Sequence, residues 1–581
     1  MARDIASHGL IGDQHSAALV GSDGCIDFFC WPEFDSPSLF ANLLDAQRGG
    51  GFELAPMAVD AVATQHYRPH SNVLITVWRC PSGEVEVADL MPWPAGDALP
   101  PGSILRHVRG LRGRVRMRMA CNPRPDYARI RPEAIPARHG VRFADNLCLA
   151  ATLPLHPGDG GAVAEWDIAS GETAWFLLHE GQAPLALDPT AAAGLIETTV
   201  AAWRGWAASL TLPPEWQEAA VRSALALALL VSSRHGSIAA APTFGLPESP
   251  RGSRNWDYRA CWIRDGSLIA NALLTLGRLE EVEQFHAWVW RCREASPGRL
   301  AILYALDGDS EADEAILDHL AGYGGSRPVR IGNAARDQKQ FDIHGELLDS
   351  IAQAAAIGGE QGLAEWRRIV AIADYVCAHW RETDSGIWEL RGGPREHLHS
   401  RALCYVALDR AILLSGRHNL AAPQSRWRQV RADILTDIQT RFRHKEAGYL
   451  VQAAGGRDLD AALLRLPLDR VLDGRDPLWL ATLAAIDREL VRDDLVWRYR
   501  NDDGLPGEEG AFVACCFWRV AALARSGRRS EADAAMRHLL SLGNKLGLFA
   551  EELAPDGAML GNFPQGLSHA AIIEAAWALA Q

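Results

Sequence analysis

The sequence predicts a mostly helical protein with a β-rich N-terminal part: a β-sandwich followed by two layers of helices. Three observations predict it. The chain has 581 residues, more than one ordinary core accommodates. Between about residues 60 and 190 it alternates in short β-type runs broken by Pro and Gly. From about residue 190 onward the apolar spacing turns helical.

The β-type runs are SNVLITVWRC (71–80), EVEVADLMPW (84–93), LRGRVRMRMAC (111–121) and GETAWFLLHE (171–180). In 115–119, Val-Arg-Met-Arg-Met, apolar and basic residues alternate strictly, the period of a half-buried strand. Runs spaced this way favour an antiparallel sandwich. Residues 190–210 then have a helical period that ends at Pro213 and Pro214. The expected organisation is a sandwich over 1–189, a linker helix over 190–213 and a helical domain over 214–581. Clear helices there are 216–232, 343–357, 363–380, 398–414, 427–442, 510–526 and 530–542. No repeat of fixed length recurs, which disfavours a solenoid. So many helices in one domain favour a double-layered toroid whose inner helices enclose a pocket.

Composition excludes several functions. Hydrophobic residues are 48% and charged residues 22%, a globular balance. The net charge of −14, without a basic run, argues against nucleic acid or an anionic membrane as main partner. No apolar signal core opens the sequence, and the longest apolar run, 224–231, falls far short of a membrane span. A cytoplasmic protein is expected. Its eleven cysteines are scattered, without C-x-x-C, and Cys515 and Cys516 fit as small core residues. Phosphate-loop, H-E-x-x-H and G-x-S-x-G patterns are absent, the last of which lowers a serine-hydrolase reading.

The 20 tryptophans against 9 tyrosines point elsewhere. Indoles pack cores, but they also stack on ring-shaped ligands when carboxylates lie beside them. Four inter-helix stretches combine these residue types. The first, 255–266, holds Trp256, Asp257, Trp262, Arg264 and Asp265. Arg donates, Asp accepts and Trp stacks, a clamp for a polyol; the plain alternative is that Asp265 caps the helix that follows. The second, 385–393, places Glu389 after Trp388. A carboxyl beside an indole is desolvated and suited to remain protonated as a general acid. The third, 502–510, sets Glu508 and Glu509 at the start of the 510–526 helix, where dipole stabilisation explains them as well as ligand binding does. In the fourth, 547–556, Glu551 could activate a water. His399 fits a hydrogen-bonding pocket residue better than a metal ligand. Carboxylates, Trp and Arg together are the outfit of glycoside hydrolysis, which by paired carboxylates requires no metal or cofactor.

At these positions the sequence resembles the bacterial branch of glycoside hydrolase family fifteen, the glucoamylase and trehalase family. The resemblance rests on seven stretches in the family's order, among them 10–27, 254–259 with 262–265, 325–335, 387–389, 508–512, 550–552 and 561–565. It implies a β-sandwich followed by an (α/α)6 barrel and an inverting, exo-acting α-glucoside hydrolase. Glu389 would be the general acid and Glu551 the general base, roughly 6.5–9.5 Å apart so that a water fits. Trp262, Arg264 and Asp265 would hold the non-reducing glucose, with Glu508 and Glu509 at the rim. The substrate would be a small α-glucoside or oligosaccharide, glucoamylase-like, with trehalose hydrolysis by the same carboxylates as the alternative. A non-catalytic glucan-binding protein would require loss of a carboxylate, and both are present. His344, Arg401 and Leu553 depart from the family's usual residues and bear on the pocket wall.

Overall fold

A computed structural model of the chain describes every residue except 1–2, 95–98, 144–145, 187, 296–299, 311–312, 360–361, 391 and 502. Asp502 and Arg391, each part of a stretch singled out above, lie outside the described residues.

Strands begin at His8, earlier than the alternation alone indicated, and the last long one is Thr173–Glu180. Fifteen of them join in one antiparallel network. Its axis is the 19-residue strand Ile104–Asn122. The first half of this strand pairs with Gly83–Leu90 and Thr173–Glu180, the second with Gly51–Pro56 and Gly161–Ala169. One strand thus serves both layers of the sandwich. The change of layer falls at glycines for a steric reason. A Cβ on Gly110 would lie 2.1 Å from the Ala169 carbonyl oxygen, and Gly113 has φ +68°. Val115, Met117 and Met119 point into the core, while Arg116 and Arg118 pair across the outer face with Glu165 and Glu53.

Helix Pro189–Ala208 leaves the sandwich with Asp188 as its N-cap. Its Ile196 and Val200 cover a satellite cluster on the sheet that includes Ile75, Leu105 and Trp175. Next comes the (α/α)6 barrel. Inner helices Ile263–Thr275, Asp342–Ala356, Leu398–Arg417, Val513–Arg525 and Gly566–Ala580 are almost wholly buried. The sixth inner position is taken by the short 3-10 helix Ala461–Arg465. Most outer helices bury one stripe only. Gln424–Arg441, for example, buries Trp427, Ile434 and Ile438 and leaves its charged residues outside. The predicted 510–526 helix begins later, at Val513, because Ala511–Phe512 pairs with Glu552–Leu553. Among the described residues no helix is long and apolar enough to cross a membrane, and no cluster of His, Cys, Asp or Glu could hold a metal ion. The eleven cysteines are unpaired.

Candidate active site

Loops at one end of the barrel meet around a cavity of about 420 Å³, within the range of small-ligand sites. The segment 255–262 builds one wall. Asn255–Asp257 pairs with Phe244–Pro247, and Cys261–Trp262 pairs with Leu303–Tyr304. In extended chain, alternate side chains point to opposite sides. Trp256, Tyr258 and Trp262 therefore line the cavity, and Asp257 and Arg259 face away from it. Asp257 is accordingly a bracket for Arg259 rather than a wall residue, bonding Nε at 2.9 Å and Nη2 at 2.7 Å.

Helix Ile263–Thr275 starts at the cavity, and Arg264 and Asp265 in its first turn line it. Its N-cap residue is Trp262, so Asp265 does not cap it. Arg264 is buried and spans four partners: Gln340 at 2.7 Å, Asp342 at 2.9 Å, Glu389 at 3.3 Å and Asp265 at 3.5 Å. Burial pushes the Asp265 carboxyl up to about 6, against the pull of Arg264.

Glu389 lies in a loop and has φ +58°, a left-handed conformation that costs a non-glycine residue energy and recurs at functional sites. Gln338 holds its carbonyl at 3.2 Å. Trp262 Nε1 donates to Glu389 Oε1 at 2.8 Å, the same oxygen that meets Arg264. The indole in contact with this carboxyl is thus Trp262 and not its neighbour Trp388. Trp388 lines the wall but turns its N–H to Asp460 at 2.8 Å.

Glu551 is held differently. It is fully buried and does not itself line the cavity, but its hydrogen-bond partner Tyr258 does. Tyr258 donates its hydroxyl to Oε1 at 2.7 Å, and the Asn562 amide donates to Oε2 at 3.3 Å. Gly561 is required beside it, because a Cβ there would come within 2.4 Å of Oε2. Burial raises the Glu551 carboxyl to about 7, opposed chiefly by Arg498 and by the Tyr258 hydrogen bond. The rings of Tyr258 and Trp262 stand edge to face, centroids 5.4 Å apart. One ring carries the bond to Glu551 and the other the bond to Glu389, so the two carboxyls terminate one aromatic pair.

Beyond them lies a charged rim. Arg498 bonds Glu509 at 2.8 Å, Glu552 at 3.0 Å and Glu248 at 3.5 Å. Arg254 grips Asp503 at 2.7 and 2.9 Å and also pairs with Glu509. Burial and mutual repulsion push the Glu248 and Glu552 carboxyls well above the usual range. Glu509 lines the cavity, but Glu508 is exposed and does not. Neither stands at a helix start, since the helix opens at Val513. His399 also stays off the wall: it is buried in helix Leu398–Arg417, and burial lowers its imidazole to about 3. Its ring nitrogens have no hydrogen-bond partner among the described residues. His344, Arg401 and Leu553 lie off the wall as well, so the departures from the family's pattern leave the cavity lining untouched.

Tyr258, Glu248, Arg498 and Asp342 escaped sequence reasoning. Tyr258 sits inside a stretch that was singled out, at the alternate position that points inward. Arg498 lies in Trp497-Arg-Tyr-Arg500, whose density of aromatic and Arg residues matches that of the first cluster.

Residues 215–535 match the family described as Glycosyl hydrolases family 15. The chain belongs to that family. Residues 1–154 match a domain described as trehalase-like, N-terminal. This family 15 chain is 37% identical to a trehalase of Mycolicibacterium smegmatis, over 98% of itself and 90% of that protein. It is 32% identical to a trehalase of Thermoplasma volcanium, over 98% of itself and 93% of that protein. In fold it resembles a bacterial glucoamylase solved with acarbose, TM-score 0.74 at 13% identity, covering 100% of this chain and 94% of that one. The family 15 chain is a glycoside hydrolase acting on glucosides.

Proposed function

We propose that this family 15 hydrolase cleaves trehalose into two glucoses with inversion, Glu551 acting as general base and Glu389 as general acid. The choice of trehalose over a longer α-glucan rests on whole-length likeness to proteins named trehalase. The chemistry rests on one arrangement: two carboxyls at opposite ends of the Tyr258–Trp262 pair. In this reading Trp262, Arg264 and Asp265 hold the glucose whose bond breaks, with Trp256 and Trp388 as walls. Glu509, fixed by Arg254 and Arg498, faces the departing sugar.

Both donors to Glu389 approach Oε1, which leaves Oε2 to carry the proton to the glycosidic oxygen. Glu551 takes a proton from water on the opposite face of the ring. A base near 7 suits that role at neutral pH, where it is substantially ionised yet basic enough to accept a proton. The C1–O bond to the leaving sugar breaks, and the water oxygen forms the new C1–O bond. Inversion then releases one β-glucose from the reacting ring and one α-glucose as leaving group.

We also place the domain boundaries at 1–189, 190–213 and 214–581. The last long strand ends at Glu180, and helix Pro189–Ala208 follows it.

The test is a side-by-side assay on trehalose, maltose, isomaltose and a longer maltooligosaccharide, with early products followed by proton NMR. Trehalose should be cleaved fastest, with α- and β-glucose appearing in equal amounts. Preference for the longer chain would return the reading to a glucoamylase. Release of α-glucose alone, or a trapped glucosyl-enzyme, would overturn both carboxylate roles.

A further inference from the structure

A buried guanidinium links the β domain to the catalytic wall, beside the packing of Phe28 and Tyr127 on Phe244. Arg259 is 2% exposed and lies one residue beyond Tyr258, in the short connection between strands Asn255–Asp257 and Cys261–Trp262. Asp257 holds it from the barrel side and is itself fixed by the Gly332 amide at 3.0 Å. Its other hydrogen bonds go to the β domain: the Ser36 carbonyl at 2.7 Å, Cys30 Sγ at 3.3 Å and the Tyr127 hydroxyl at 3.3 Å, while its guanidinium lies 4.4 Å from the ring centre of barrel-side Phe244.

The seat for Arg259 is strained. Asp126, Tyr127 and Ala128 have φ of +52°, +56° and +65°, three consecutive non-glycine residues in the left-handed region. L-residues enter it singly at a cost and rarely in series. A barrel loop clasps the turn from the other side: His319 Nε2 meets the Tyr127 carbonyl at 2.7 Å. A conformation this costly persists only where its surroundings determine it, and these surroundings are the junction with the segment that carries Tyr258 and Arg259.

We propose that the β domain takes part in catalysis through this contact: the left-handed turn and Ser36 seat Arg259, and Arg259 holds the connecting segment that aims Tyr258 at Glu551. Arg259 is a positioning residue; it touches no reacting atom. The inference rests on the reading of Glu551 as general base. With Arg259 loosened, the Tyr258 bond to Glu551 weakens while Arg498, Glu248, Glu509, Glu552 and the Asn562 amide still face that carboxyl. The Tyr258 bond favours ionised Glu551, so its loss makes the base harder to ionise.

The experiment compares wild type, Arg259→Lys, Tyr127→Leu and Glu551→Gln on trehalose, or on whichever α-glucoside wild type cleaves best. Lys keeps the charge but not the planar fork that spans Asp257 and Ser36. Tyr127→Leu removes the seat from the β-domain side and leaves the 255–262 segment intact in sequence. Folding is checked by circular dichroism and thermal midpoint. The expected result for both positioning variants is a kcat at least about tenfold lower, KM within twofold, and the acidic limb of kcat/KM displaced to higher pH, because less of Glu551 is ionised at a given pH. If Arg259→Lys does not fold, Tyr127→Leu decides. A folded variant with lower thermal midpoint but unchanged kcat and acidic limb makes the contact mere domain adhesion and overturns the proposal. An active Glu551→Gln would instead sink the base assignment itself.

Discussion

The loops that carry Glu389 and Glu551 solve opposite problems. Glu389 sits in irregular chain, its side chain 23% exposed, and its position depends on a left-handed φ and on donors from elsewhere in the fold. Glu551 precedes a three-stranded sheet formed by Ala511–Phe512, Glu552–Leu553 and Met559–Leu560, and is fully buried. A proton donor must meet a leaving oxygen whose position varies with substrate. A base that activates one water gains from being fixed in a dry site, where its affinity for protons rises. The contrast teaches that carboxyls of equal chemistry are assigned by environment.

The largest effect should separate the two loops directly. Glu551→Gln should cost about 10²–10⁴-fold in kcat on every substrate, the usual worth of a general acid or base. Glu389→Gln should suffer similarly on trehalose but recover much of the loss on a nitrophenyl α-glucoside, whose leaving group needs no proton. Equal rescue of both variants would erase the assignment.

Asp265→Ala should come next. Loss of charge-assisted bonds to sugar hydroxyls, worth about 1.5–3 kcal/mol, predicts a fall in kcat/KM of roughly 10–100-fold. Full activity with unchanged KM would leave Asp265 without a part in binding.

The pH profile sharpens the comparison. Glu551 must be ionised to act, so kcat/KM should fall tenfold per unit below about pH 7. The same group affects stability with a definite sign. Its native value is raised above the ordinary 4.5, so the native state binds the proton more tightly than the unfolded chain does. Stability from that proton is complete below about pH 4.5 and is lost as pH rises toward 7. Glu551→Gln lacks this loss, so its thermal midpoint relative to wild type should improve between pH 4.5 and pH 8. A constant difference would mean that burial does not perturb this carboxyl.

The smallest effect concerns the strained turn. Ala128→Gly relieves a positive φ and should stabilise the protein by about 1 kcal/mol in a denaturation curve. Destabilisation would mean that packing of the Ala128 methyl outweighs the relief.

How much of this was legible beforehand follows the range of the interactions involved. Strand alternation at Val115–Met119 is a property of adjacent residues, and the structure keeps it. The long helices agree with their apolar spacing to within a few residues. Apolar spacing puts the start of the last-but-two helix at 510 rather than Val513, because Ala511–Phe512 forms strand pairs with residues some forty positions away, which local periodicity does not register. The short inner helix Ala461–Arg465 gave too little periodicity to be noticed.

The sequence by itself determined the two textures, the density of Trp, Arg and carboxylates in a few loops, and the motifs that name the family. These are local, and composition and spacing record them. Only the tertiary structure decided which members of each cluster meet. It chose Glu509 over Glu508 and turned Asp257 away from the cavity that Trp256 and Tyr258 enter. It also placed Trp262 rather than Trp388 against Glu389, and set Tyr258 on Glu551, 293 residues away. The physical reason is that a side chain's direction depends on backbone φ and ψ and on its strand partners. Its proton affinity depends on burial and on charges brought from distant parts of the chain. Neither quantity is carried by neighbouring residues alone.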